Sequence, residues 1–259
     1  MSETNHILTE VREHTGIIKI NRPDVYNALN GDNKWAIVKA IREFNKDANV
    51  SAIILTGEGK AFSTGQDLND RQASDASNNL GDTLQTEWNP LVKSIRDSRK
   101  PVIAAVNGVT AGAGIAVAIS ADFVICKPET KFVGGFGKLA LCLDAGSTFY
   151  LTRYLGEKKT FEFYMTNNPI MSEELHRAGL INHLSEAPLD KALELAKQLH
   201  GCDPVALEVV KTNIQNALES GYNDSLENET VGQRLLGDRG SYREGIKAFF
   251  EKRAPNFRD

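Results

Sequence analysis

Cysteine is scarce in this 259-residue chain, and Cys126, Cys142 and Cys202 are odd in number with no metal-ligand spacing. A disulfide framework and a cysteine metal centre are therefore not expected, and this usage points to a reducing, cytoplasmic setting. Long apolar runs are missing as well. No stretch approaches the roughly 18–20 consecutive apolar residues of a membrane span. Residues 1–6 are polar, with no basic region leading into an apolar core, so no signal peptide is expected. Neither sign of charge dominates: 30 Lys and Arg stand against 34 Asp and Glu. The net charge of −4 gives no general attraction to nucleic acid or to an acidic membrane. Histidine is sparse, five in all, with none between His14 and His176. No internal repeat and no nucleotide-type phosphate loop stands out.

What is present is the composition of a soluble globular protein, 41% apolar and 25% charged. The length suits one large domain or two small ones with a substantial core. Short apolar runs at 7–12, 16–20, 51–56, 102–106 and 123–126 read as strands. Helical spacing of Trp35, Val38, Ile41 and Phe44 predicts a helix over 32–47, and further helices are expected over 83–97 and 111–120. Residues 72–82, rich in Ser, Asn, Asp and Ala, read as a loop of the length that forms lids or pocket walls. Strands alternating with helices predict an α/β fold with much parallel pairing. Beyond Gly146 helical patterns dominate, at 148–155, 158–166, 172–178, 189–200, 204–220, 226–239 and 241–252. The expected division is an α/β core over 1–185 and a helical region over 186–259.

Two Gly-rich turns are the most informative local feature: Phe62-Ser63-Thr64-Gly65-Gln66-Asp67, and Asn107-Gly108-Val109-Thr110-Ala111-Gly112-Ala113-Gly114. Each follows an apolar run and leads to a helix start, where a main-chain N–H is left without a helical partner. Two such donors converging on one point make an oxyanion hole, which stabilises charge that develops only during reaction. A third segment, Leu143-Asp144-Ala145-Gly146-Ser147-Thr148, adds one carboxylate. Two donors and one acid or base suffice for proton transfer beside a carbonyl. Plainer readings stand beside these: the turns as tight connections, and Asp144 as the N-cap of a helix beginning near Ala145.

Taken in order, these segments resemble the crotonase (enoyl-CoA hydratase/isomerase) superfamily. The resemblance runs nearly end to end. It is carried by Ile20-Asn21-Arg22-Pro23 with Asn27-Ala28-Leu29, Leu55-Thr56-Gly57, the two turns, Pro101 through Gly108, Asp144 through Thr148, and Arg243-Glu244-Gly245 with Phe249, Lys252 and Arg253. It implies a spiral of ββα units, a helical C-terminal region, an acyl-coenzyme A ligand and a homotrimer or hexamer built as a dimer of trimers. It places the oxyanion donors on the main chain of Gln66 and Ala113. The superfamily's hydratases use two glutamates, and the matching positions here are Ala116 and Phe136. Neither side chain moves a proton, so Asp144 is left as the single shuttle of an isomerase. Gly65 through Arg71 is most similar to the branch that rearranges aromatic ring epoxides of coenzyme A thioesters to oxepins. Shifting a double bond from 3-enoyl to 2-enoyl thioesters is also implied. A one-carboxylate hydratase and an inactive acyl-CoA-binding member are the alternatives. A dehalogenase-like aspartyl nucleophile would lack its histidine base, and Phe136 replaces the tryptophan used there.

No separate cofactor is implied, because coenzyme A enters as part of the thioester. The resemblance brings it against Val25, Ala28, Ser63, Gln66, Asp67 and Leu68, with Phe249 and Lys252 packing on it from the same or a neighbouring subunit. Arg22 and Arg253 are further candidates for its phosphates. Asp67 is also expected to brace the turn presenting Gln66. Leu143 and Ser147 depart from the usual proline and glycine, which leaves the acyl group open.

Overall fold

The structure, a computed structural model, describes residues 6–73 and 79–258. A hairpin opens it, β1 (Ile7–Arg12) and β2 (Thr15–Ile20), followed by a short 3-10 turn at Pro23–Val25 and helix α1 (Gly31–Lys46). Three passes then follow, each sending one strand to a large sheet and the next to a small one. The first is β3 (Ala52–Gly57) and β4 (Ala61–Ser63), with helices α2 (Leu68–Ala73), α3 (Leu80–Thr83) and α4 (Asn89–Arg96). The second is β5 (Val102–Val106), β6 (Val109–Ala111) and α5 (Ala113–Ile119). The third is β7 (Phe123–Cys126), β8 (Lys131–Val133), a 3-10 turn at Phe136–Leu139 and α6 (Ser147–Thr166). After β9 (Ile170–Met171), α7 (Ser172–Arg177) and β10 (His183–Leu184), the chain is helical: α8 (Pro188–His200), α9 (Pro204–Ala217), α10 (Tyr222–Gly237) and α11 (Gly240–Glu251).

The large sheet has the order β1-β2-β3-β5-β7-β10, parallel except for the β1–β2 hairpin. The small sheet has the order β4-β6-β8-β9, with β9 antiparallel. Every residue of β3 and β5 is buried. Their unbroken apolar runs mark strands covered on both faces, as parallel sheets require. One face packs with α1, α4 and α5 around Ile18, Leu55, Phe62, Ala104, Ile115 and Val117. The other face, with Ile54, Ile103 and Ile125, is covered by Ala192 and Ala196 of α8.

Helix α8, the first of the C-terminal helices, thus packs directly on the α/β core through Ala192 and Ala196. The small sheet is a correction: its strands are two or three residues long, too short to carry an alternating pattern. Helix α5 starts at Ala113, because 109–111 are a strand. Residues 72–73 and 80–82, expected as loop, are helical, and 74–78 lie outside the described residues. The helix expected over 83–97 is interrupted by a π-helical turn at Leu84–Trp88. Gly156, at φ +76°, kinks α6 between the two helices anticipated there.

In α1 the outcome is inverted at two neighbouring positions. Asn30 caps the helix, its Oδ1 accepting from Asn33 N–H at 2.9 Å, and Ile37, Val38, Ile41 and Phe44 face the core. Trp35, read as part of that apolar face, is exposed, and Lys34 is wholly buried instead. No helix among the described residues is long and apolar enough to cross a membrane.

Candidate active site

The first turn is bound to the loop before α1. Leu29 N–H donates to Gly65 O at 2.7 Å, and Asp67 N–H to Leu29 O at 3.0 Å. Ser63 Oγ donates to Asn27 O and accepts from Gly65 N–H. Gly65 sits at φ +82°, where a Cβ would also lie only 2.8 Å from Ala113 N. A side chain there would be strained twice over. Gly114 meets the same limit from the other turn, since its Cβ would collide with Ser63 O. Glycine at both positions lets the two turns pack backbone to backbone. Neither Gln66 N–H nor Ala113 N–H has a protein acceptor among the described residues.

Asp144 lies between the 3-10 turn and α6. Ala145 (φ +49°) and Gly146 (φ +86°) follow in left-handed conformation, and Ser147 N–H donates to Asp144 O at 2.8 Å. The helix starts at Ser147 with no side-chain cap, so the N-cap reading fails at the side chain. The Asp144 carboxyl is instead turned inward, its Oδ1 buried with no hydrogen-bond partner. Burial pushes its pKa up from 3.8 to about 6, against the opposing pull of Lys34. Strain at Ala145 and an unsatisfied carboxylate oxygen are what folds tolerate at working sites. Ala116 and Phe136, in the two hydratase glutamate positions, are buried and apolar.

Sequence reasoning missed Lys34, Glu87 and Trp88. Lys34 Nζ donates to Glu87 Oε2 at 2.5 Å and to Gln66 Oε1 at 2.9 Å. Trp88 Nε1 donates to the same Gln66 oxygen at 3.1 Å. Lysine in an otherwise solvated stretch of sequence carries no signal of burial. The π-turn that aims Glu87 and Trp88 at it has no sequence signature either.

Of the expected coenzyme A residues, the structure gathers Val25, Ala28, Ser63, Gln66, Asp67 and Leu68 into one region. Leu29 is bound to the Gln66 turn, and Thr64 N–H donates to Tyr26 O at 3.2 Å. Ser63 is fully buried, so it supports that wall through its packing, while Leu68 is exposed. Arg22 is not a free cation for phosphates. Its Nη1 donates to Ala28 O at 2.6 Å and pairs with Asp67 Oδ2 at 2.8 Å. Burial works to raise the Asp67 pKa, but Arg22 and the turn's N–H groups hold it below the usual value. Arg253 is likewise committed, to Glu244 and Glu251. Phe249 and Lys252 are exposed on and just beyond α11. Helix α11 packs on α10 and on the chain's own end, with Phe249 stacked edge-on against Phe250.

Two uncommitted main-chain donors at converging turns, with one half-buried carboxyl set by a left-handed loop, make an arrangement that can stabilise negative charge developing on a carbonyl oxygen. Residues 10–259 match the family described as Enoyl-CoA hydratase/isomerase, and the chain belongs to it. Its fold is the crotonase fold: at a TM-score of 0.92 and 30% identity it matches an enoyl-CoA hydratase crystal structure from Polaromonas sp. JS666, covering 96% of this chain and 98% of that one. The chain is 34% identical to 1,2-epoxyphenylacetyl-CoA isomerase of Escherichia coli (strain K12), over 97% of each chain. It is 36% identical to a probable enoyl-CoA hydratase of Rhodobacter capsulatus, over 96% of each.

Proposed function

We propose that this protein is an acyl-CoA isomerase that moves a proton, and with it a double bond, in a thioester enolate. The observation that carries the reading is Asp144: one half-buried carboxyl, its Oδ1 buried without a hydrogen-bond partner, in a site whose two other acid–base positions hold alanine and phenylalanine. With a 3-enoyl thioester, the carboxylate takes a proton from C2. The electron pair passes through the thioester to its oxygen, which accepts hydrogen bonds from Gln66 N–H and Ala113 N–H. The dienolate then takes the same proton back from Asp144 at C4, leaving a 2-enoyl product and a restored carboxylate. No water is consumed. Rearrangement of a ring-1,2-epoxyphenylacetyl thioester to an oxepin is the second reaction proposed, supported by the likeness to the Escherichia coli isomerase.

Conversion of 3-hexenoyl-CoA to 2-hexenoyl-CoA, with products weighed by mass spectrometry, tests the reading directly. A product of unchanged mass supports it, and a gain of one water supports the hydratase alternative favoured by the Rhodobacter relative's name. The pH profile is a second check. Asp144 must be a carboxylate to begin, so kcat/KM should rise with pH through about 6 and level off above it. A profile flat from acid to neutral pH would remove Asp144 as the base.

Assembly follows from the C-terminal helices. Leu226, Val231 and Leu235 of α10 and Ile246, Phe249 and Phe250 of α11 are all exposed, and clustered exposed apolar side chains mark interaction surfaces. We assign it to a homotrimer, or a pair of trimers, in which Phe249 and Lys252 reach the coenzyme A of a neighbouring subunit. Sedimentation equilibrium should give three or six chain masses, and a stable monomer would refute the assignment.

A further inference from the structure

Lys34 stands where an amphipathic helix would place an aliphatic side chain. It is wholly buried, with Nζ held by Glu87 and Gln66 and lying 4.5 Å from the Trp88 ring centroid. A buried ion pair is a poor source of stability, because desolvating two charges offsets most of their attraction. Apolar residues of similar volume would serve the fold as well. The partners, however, all belong to the walls of the site. Gln66 carries the first oxyanion donor on its own main chain, Glu87 and Trp88 come from the π-turn beside it, and the Lys34 charge reaches Asp144.

We propose that Lys34 is a positioning residue of the reaction, clamping Gln66 beneath the first oxyanion donor and fixing a positive charge beside the route of the proton. The inference rests on the isomerase reading above and deepens it. Among the described residues, the charged groups that act on Lys34 include Glu87 from the π-turn and Asp144 from the loop before α6. Asp67, next to Gln66, is already neutralised by Arg22. As negative charge passes from Asp144 to the thioester oxygen, the cation favours the carboxylate at the start and the enolate that follows. It therefore keeps Asp144 ionised at neutral pH against the pull of burial.

The test compares wild type, Lys34→Met and Lys34→Met/Glu87→Leu on 3-hexenoyl-CoA across the acid and neutral range. The double variant removes the pair together, so Glu87 is not left facing the site without its counter-ion. In both, the acid limb of kcat/KM should move up by at least about half a pH unit. The plateau kcat should fall about tenfold with KM within about threefold, as expected for a lost transition-state contribution. An unmoved acid limb and a wild-type plateau, with only the melting temperature altered, would show Lys34 to be a structural ion pair and overturn the inference. Asp144→Asn is the control. If it is as active as wild type, or if wild type does not isomerise, the isomerase reading fails first and carries this inference down with it.

Discussion

Asp144→Asn is expected to reduce isomerisation of 3-hexenoyl-CoA by about 10²- to 10⁴-fold, the range lost when a positioned acid–base group is removed. The substitution keeps the shape and volume of the side chain, so binding of the thioester should persist while turnover disappears. It should also make the protein more stable. In the fold the Asp144 pKa is raised from 3.8 to about 6, so the ionised form is disfavoured there relative to the unfolded chain. That penalty is absent below pH 3.8, grows as pH rises towards about 6, and is complete above it. Asparagine escapes it, for a gain of roughly 1–2 kcal/mol at pH 8 after allowance for partial solvent access. Melting curves at pH 8 and near pH 4 should show the gain at the first and little at the second. Activity lost together with stability would instead mean that Asp144 is part of the scaffold.

Ala113→Pro is the second large effect. Ala113 is the first residue of α5, a position where proline is well tolerated because its N–H has no helical acceptor. The preceding residue, Gly112, lies at φ +52° and ψ −134°, outside the right-handed helical region that proline disfavours in its predecessor. The substitution removes one donor and puts the ring Cδ where the N–H pointed, beside Gly65. Loss of a single oxyanion donor costs about 10²–10³ in kcat, and that is the least loss expected, with an unchanged circular dichroism spectrum. Ala113→Gly retains the N–H and should stay near wild type. Full activity in Ala113→Pro would relocate the second donor.

The large sheet was legible because residues 52–55 of β3 and 102–106 of β5 are short apolar runs, the first closed by Gly57 and the second introduced by Pro101, as buried parallel strands commonly are. The turns were legible for a different reason. Gly65, Gly112 and Gly114 mark places where only glycine permits the path or the approach, so their spacing carries three-dimensional information. Asp144 could be found but not decided from sequence. Aspartate before a helix reads equally as a cap, and only the left-handed Ala145-Gly146 pair, which delays the helix to Ser147, separates the two. Lys34 was beyond reach: burial of a charge is decided by partners 32 and 53 residues away. The small sheet failed for want of length.

The backbone contact between Gly65 and Ala113 has a mechanical consequence. Because the two turns touch with no side chain between them, neither donor can be displaced without carrying the other, and the spacing of the hole is a property of one rigid body. Asp144 hangs from a separate loop, and among the described residues its Oδ1 has no hydrogen-bond partner on either turn. The proposed clamp on the carbonyl oxygen and the proposed proton carrier thus sit on separate parts of the chain. In such a body the acid–base group can be exchanged or repositioned while the carbonyl stays where it is, which makes the reaction, rather than the grip on the thioester, the changeable element of this architecture.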